Sequence, residues 1–100
     1  MSREYTEEEI RKKFIKAIWS NINYWKNESR APSLEEKMEG LAFSILVLLD
    51  GGSAMMPKFI VAPDPHPDDK QYYIENGENY FPENCDISGG LHEILNKYKK

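Results

Sequence analysis

The first half of the chain carries two patterns of apolar residues at helical spacing. In the first pattern, apolar residues recur every three or four positions, which places them on one helix face: Ile10, Phe14, Ile18, Ile22 and Trp25. Thr6 and Glu9 have the spacing of a capping box at the start of this pattern. The pattern predicts a first helix from about Glu7 to Lys26.

The second pattern begins after Ser33, which forms another possible capping box with Glu36. Its apolar positions alternate in steps of four and three, as in a buried seam: Leu34, Met38, Leu41, Ile45 and Leu48. From Leu41 to Leu49 the other faces are apolar as well, which is typical of an enclosed helix. We expect the first helix, the C-terminal half and a second subunit to enclose it. Gly51-Gly52 predicts its end.

The second half of the chain is less regular. The β-branched and aromatic run Lys58–Ala62 lies between two prolines and predicts a short strand, at the edge of a sheet. Asp68–Asn76 fits a short helix or a strand, and we favour the helix. Ser88 predicts the start of a last helix, and Pro63–Gly90 is mostly irregular. The predicted fold is α+β and mainly helical, with two long N-terminal helices packed as a hairpin, a short strand, an irregular acidic segment and a C-terminal helix.

Composition limits the class of protein. Hydrophobic residues make up 40% and charged residues 30% of 100 residues, which predicts one folded domain over residues 1–100. The net charge of −4 argues against direct nucleic-acid binding and against docking to an anionic membrane. The longest apolar run, Leu41–Leu49, is too short to span a bilayer. Cys85 is the single cysteine, which excludes an intramolecular disulfide and favours the cytoplasm.

Polar residues at the predicted helix ends are candidates for a ligand-binding site. Asp50 falls at the C-terminus of the second helix, where the helix dipole disfavours an anion; it either caps the following turn or belongs to a site. Ser53 follows that turn. His92 and Glu93 lie in the first turn of the last helix, where free backbone N–H groups favour an anion. The alternative for His92 and Glu93 is a capping or surface pair.

Three further residues complete the candidate ligand-binding set. His66 lies between two prolines in the acidic segment, with aspartates nearby. Trp19 and Trp25 fall on different faces of the first helix, so one can join the core while the other contacts a partner or a flat ligand; the alternative is that both are core residues. Trp25 and Arg30 are kept as candidates because aromatic and arginine side chains favour such contacts. The chain has no metal-site or phosphate-loop spacing, so we predict no metal and no cofactor.

Two groups of motifs resemble a family of small, mostly uncharacterised proteins of phages, prophages and other mobile elements. The first is Glu39–Gly51, and the second combines Gly77-Glu78-Asn79-Tyr80 with Gly90-Leu91-His92-Glu93. The resemblance covers about Ser33 to Glu93. It implies a small accessory protein, in the host cytoplasm if phage-encoded, that binds a host factor or sequesters a small signalling molecule. It implies no catalytic mechanism.

Three functions compete on these observations. The first is a non-enzymatic, homo-oligomeric protein, associating through its first two helices, that binds a small ligand or a host protein. A nucleotide signalling molecule is one candidate ligand, and it needs Arg3, Arg30 or Lys58 beside an aromatic ring. The second is a small hydrolase in which His92 works with Asp50 or Glu93 as acid and base. The third is an inhibitor whose segment from Asp64 to Asp86, with seven acids and one lysine, mimics nucleic acid.

Overall fold

The computed structural model describes residues 2–99, and this part of the chain is entirely helical in its regular structure. Its elements are α1 (Glu7–Lys26), α2 (Leu34–Leu49), α3 (Asp69–Glu75), α4 (Leu91–Ile94) and a 3₁₀ turn over Asn96–Tyr98. No residue between 2 and 99 is in a β-strand. The expected two-helix hairpin is present, but the α+β class is wrong.

Both long helices begin where the sequence predicts because side-chain caps satisfy their first backbone N–H groups. At α1 the capping box is complete: the Glu9 N–H donates to Thr6 Oγ1 at 3.2 Å, and the Thr6 N–H donates to Glu9 Oε1 at 2.9 Å. At α2 the Glu36 N–H donates to Ser33 Oγ at 3.0 Å. These contacts are local, which explains why the sequence alone placed them.

Several contacts hold α1 and α2 together near the turn that connects them. The Trp25 ring packs against Gly40 so tightly that a Cβ at position 40 would lie 2.5–2.6 Å from ring atoms. The indole Nε1 donates to Ser44 Oγ at 2.7 Å. Lys37 Nζ donates to the carbonyl oxygens of Trp25 and Lys26 in the last turn of α1 and of Glu28 just after it, at 3.0–3.2 Å. The turn between the helices is therefore held by a ring, a hydroxyl and an ammonium group.

The core of the chain is small. Its buried residues are Ala17, Leu48 and Met56, and three half-buried side chains pack on them: Phe14, Ile18 and Phe59. The rings of Phe14 and Phe59 have centroids 5.2 Å apart. The core therefore joins the hairpin to the segment that follows it.

The predicted strand Lys58–Ala62, called the extended segment below, pairs with no strand among residues 2–99, which corrects the sequence prediction. Its backbone groups bond to other parts of the chain instead. The Phe59 N–H donates to the Leu49 carbonyl at 3.0 Å, the Ile87 N–H donates to the Val61 carbonyl at 2.7 Å, and the Val61 N–H donates to Asp86 Oδ1 at 2.9 Å. A β-branched run favours an extended backbone, but a strand also requires a neighbouring strand.

The C-terminal half contains two short helices. The helical alternative for Asp68–Asn76 is present as α3, whereas the last helix starts at Leu91 rather than at Ser88. The Ser88 N–H and hydroxyl both donate to Asp86 Oδ1, at 3.0 and 2.7 Å. Ser88 therefore closes a turn, and α4 starts only after the two glycines.

The chain forms a thin layer. Its extents are 51 × 48 × 18 Å, and its radius of gyration is 17.4 Å, against about 13 Å for a compact domain of 100 residues. Within the seam expected to be buried along α2, Leu34 is 74% exposed and Met38 is 62% exposed, whereas Leu48 is buried. Within the described residues of a single chain, α2 is therefore not enclosed in the way that the sequence predicts.

Candidate functional site

The end of α2 and the start of α4 are joined by the carboxylate of Asp50. This side chain is only 2% exposed. Its Oδ1 accepts the Gly89 N–H at 2.6 Å, and its Oδ2 accepts both the His92 N–H at 2.9 Å and the ring Nδ1 of His92 at 2.6 Å. The Phe43 ring meets the imidazole edge-on at 5.5 Å. Asp50 and His92, noted separately in the sequence, thus form one site.

Two opposing effects determine the charge of Asp50. Burial raises the pKa of this carboxyl, but hydrogen bonds from the backbone and ring of His92 and from the N–H groups of Gly89 and Leu91 outweigh it. The resulting pKa lies well below the ordinary value of 3.8, so the group is an anion at neutral pH. An ionised carboxylate can only accept, so His92 Nδ1 carries the hydrogen of this contact.

The Asp50–His92 pair resembles the base and orienting group of an acid–base site, but the described residues bring no further part of such a site next to it. Asp50 cannot serve as a general acid near neutral pH because its pKa is lowered. His92 Nε2 lies 3.9 Å from Glu93 Oε1. Within residues 2–99, no serine, threonine or cysteine side chain bonds the imidazole, and no three His, Cys, Asp or Glu side chains cluster to hold a metal. The pair joins two helices.

A second carboxylate, not selected from the sequence, holds the extended segment in place. Asp86 accepts hydrogen bonds from Lys58 Nζ at 2.9 Å, from Ser88, and from the Val61 N–H. The Ser88 hydroxyl, the Lys58 ammonium and these backbone groups hold the pKa of Asp86 well below its ordinary range. The sequence signal was the spacing of Asp86 and Ser88, which is typical of an Asx turn.

A cleft of about 670 Å³ lies in the irregular segment. We call it the Pro63–Glu83 cleft. Its walls combine prolines, aromatic rings and carboxylates: Pro63, Pro65, Pro67, Pro82, Tyr73, Tyr80, Phe81, Asp64, Asp69 and Glu83, together with His66 and Lys70. Among the residues chosen from the sequence, only His66 lines it.

Local hydrogen bonds shape the acidic wall of the cleft. The His66 N–H donates to Asp69 Oδ2 at 3.0 Å, and the Asp68 N–H donates to His66 Nδ1 at 3.1 Å. The Lys70 ammonium lies 5.2 Å from the centre of the Tyr80 ring. Three carboxylates against one lysine make the lining net negative.

The other candidate residues lie elsewhere. Ser53 Oγ accepts the Met55 N–H at 3.1 Å, and Ser53 borders a cavity of about 300 Å³ beside α1 and α2. Trp25 and Arg30 border another of about 340 Å³. Glu28 holds Arg30 through two contacts at 2.7 and 3.0 Å. The structure therefore unites Asp50, His92 and Glu93 but leaves Ser53, His66 and the Trp25–Arg30 pair in separate places.

The fold defines a small helical-hairpin protein with an irregular C-terminal half. Comparison with protein-family models, curated proteins and solved structures returns no match for this chain. Among residues 2–99, no helix combines the length and the apolar character needed to cross a bilayer. The resemblance to proteins of mobile elements therefore stays an expectation, and function is argued from the residues.

Acid will destabilise the wild-type chain more steeply than the Asp50→Asn variant. The folded-state pKa of Asp50 lies below 3.8, so its contribution is full above about pH 5 and is lost as the pH falls toward the folded-state pKa. At about pH 3 this loss amounts to about 1 kcal/mol. Urea unfolding followed by circular dichroism measures how much more stable the wild type is than Asp50→Asn. This difference in the free energy of unfolding should be about 1 kcal/mol smaller at about pH 3 than at about pH 5. An unchanged difference would contradict the lowered pKa of Asp50.

Proposed function

We propose that the protein is a non-enzymatic binding protein whose ligand site is the Pro63–Glu83 cleft. The observation that carries the proposal is the volume of the cleft, about 670 Å³, together with its apolar walls and few charged groups. Ligand sites in proteins are typically clefts of about 300–1,000 Å³ with this kind of lining. The prolines restrict backbone motion along both walls, which reduces the entropy lost on binding.

The lining favours a ligand with a positive charge on a partly apolar body. Tyr73, Tyr80 and Phe81 offer ring faces that attract cations. Asp64 and Glu83 add negative charge, and Lys70 already lies over one of the rings. Such a ligand carries an ammonium or guanidinium group. It is either a small polyamine or a basic side chain of a host protein.

A nucleotide signalling molecule is the weaker candidate ligand. A nucleotide requires a cationic side chain that lies beside an aromatic ring and is not already paired with a carboxylate. Each of the three cationic side chains considered for this role is paired with a carboxylate. Arg3 is bidentate to Glu9, with both distances 2.7 Å. Arg30 is paired with Glu28, whose pKa the Arg30 hydrogen bonds lower to about 2. Lys58 is bound to Asp86.

We further propose that the protein is an accessory protein of a phage or mobile element and that it acts in the host cytoplasm, as expected from the sequence. The motif resemblance supports the first, and the single cysteine, Cys85, supports the second. The Asp50–His92 pair has a structural role in this proposal, so no catalytic residue is assigned.

Neutralising the cleft will weaken cation binding. Spermidine and a short arginine-containing peptide are titrated into ¹⁵N-labelled protein, and amide shifts report which residues respond. The double variant Asp64→Asn/Glu83→Gln should bind either ligand about tenfold more weakly, since each exposed charge pair contributes up to about 1 kcal/mol.

The matched control is Glu4→Gln/Glu8→Gln, which changes the net charge equally at exposed positions outside the cleft. It should bind as the wild type does. Response to the peptide alone identifies a host protein as the ligand source, and response to spermidine identifies a small molecule. Saturable shifts with a cyclic dinucleotide and none with either cation would overturn the proposal.

A further inference from the structure

The two long helices expose two apolar stripes that follow the helical repeat. On α1 the stripe has the spacing i, i+4, i+7: Ile15, Trp19 and Ile22. On α2 it includes the first four residues of the predicted seam, of which Leu34 and Met38 are exposed and Leu41 and Ile45 are half-buried, and it ends at the half-buried Leu49 instead of the buried Leu48. Trp19 is 58% exposed, and Met38 is exposed to a similar degree. Together these eight residues are called the hairpin face.

Helical geometry places both stripes on the same side of the hairpin. At 100° per residue, each stripe lies about 100° around its helix from the residues that contact the other helix, in the direction of increasing residue number. Because α1 and α2 run antiparallel, these two rotations have opposite sense when viewed from one end. They therefore turn both stripes toward one side. The contacts of α4 fall on the other side of α2, where Phe43 meets His92.

The hairpin face is free of charge at its centre. Between Leu41 and Leu49 α2 has no charged residue. Between Ile15 and Ile22 the one charged residue of α1 is Lys16, which lies at the edge of the stripe, about 60° around the helix from Trp19. Interfaces between identical subunits are more apolar than those of proteins that must also exist free. A face without charges is therefore typical of a permanent contact with a second copy.

The surface area of the chain also indicates a missing layer. The accessible surface is 8347 Å² for a chain of 11.7 kDa, and a compact monomer of this mass exposes about 5,900 Å². The excess, about 2,500 Å², is distributed over both halves of the chain, and a standard interface covers about 800 Å² per partner. A thickness of 18 Å leaves one face of the hairpin without the second layer that domains normally require.

We propose that the hairpin face is covered by the hairpin face of a second copy, forming a four-helix bundle around a two-fold axis. α2 contributes 16 residues, so the face is about 24 Å long and about 20 Å wide. A two-fold contact is self-complementary, so each apolar stripe meets apolar residues of the partner copy. The inference is independent of the ligand proposed for the cleft.

The test compares charge substitutions on and off the hairpin face by native mass spectrometry and sedimentation. The wild type should have twice the chain mass of 11.7 kDa at micromolar concentration. Met38→Lys and Trp19→Lys should each have the mass of one chain, with the dissociation constant raised at least about 100-fold. Both positions are exposed in the single chain, so helix content by circular dichroism should not change.

The matched control is Ile60→Lys, because Ile60 is 80% exposed and lies outside the hairpin face. It should keep the wild-type mass. On dilution of the wild type, tryptophan emission should shift to longer wavelength as Trp19 returns to water. A monomeric wild type at its highest soluble concentration overturns the proposal. So does an assembly that both hairpin-face variants leave intact, or one that Ile60→Lys dissociates equally well.

Discussion

Replacing Asp50 with alanine will lower the free energy of unfolding by about 2–3 kcal/mol. The change leaves the Gly89 N–H, the His92 N–H and the His92 ring without their shared acceptor. The Asp50 carboxylate is buried, but Gly89 is exposed and His92 is half-buried, so water replaces part of what these donors lose. Since small domains are stable by about 5–15 kcal/mol in total, the loss should still open the α2–α4 junction more often.

Urea unfolding followed by circular dichroism measures this effect, and Asp68→Ala is the matched control. The Asp68 side chain faces solvent and caps no helix, so its removal should change the free energy of unfolding by less than about 0.5 kcal/mol. The amides of Gly89 and His92 should also exchange faster in Asp50→Ala. Equal stability of the two variants would show that Asp50 does not join the helices.

Gly40→Ala is expected to destabilise the hairpin by about 2 kcal/mol, although alanine favours helices over glycine by about 1 kcal/mol. The new methyl group would lie 2.5–2.6 Å from three ring atoms of Trp25. The ring cannot retreat freely, because its Nε1 is bonded to Ser44 Oγ. The clash must therefore separate α1 from α2 or break that hydrogen bond.

A double-mutant cycle identifies the clash as the cause. In a Trp25→Leu background, Gly40→Ala should become neutral or stabilising, since the ring is gone and the helix preference remains. Gly90→Ala is the control for a glycine whose added Cβ meets nothing within 4 Å, and it should leave stability close to that of the wild type. If Gly40→Ala stabilises the wild-type chain, the close packing is not present in solution.

The two long helices were predictable because their determinants lie close together in sequence. Thr6 and Glu9, like Ser33 and Glu36, are three residues apart, and each pair makes a local hydrogen bond. The apolar repeats need only the helical period. The same local logic failed for Lys58–Ala62, because its residue types specify an extended backbone but cannot specify a pairing partner.

The candidate site was predictable residue by residue but not as an assembly. Asp50 was noted for its place at a helix end, and His92 for its place at a helix start. Their contact joins positions 42 residues apart, which no local pattern reports. The Pro63–Glu83 cleft was foreseen only through His66, because its walls come together through the turn around α3.

The sequence by itself determined where α1 and α2 begin and end, and that α2 has more apolar surface than one small domain covers. Both follow from hydrogen bonds and periodicities that act within a few residues. Only the tertiary structure decided that Asp50 bonds to His92, that Asp86 holds the extended segment, and which apolar side of the hairpin stays open. These outcomes depend on which distant backbone groups and side chains meet, and the energy of such contacts exists only once the chain has folded.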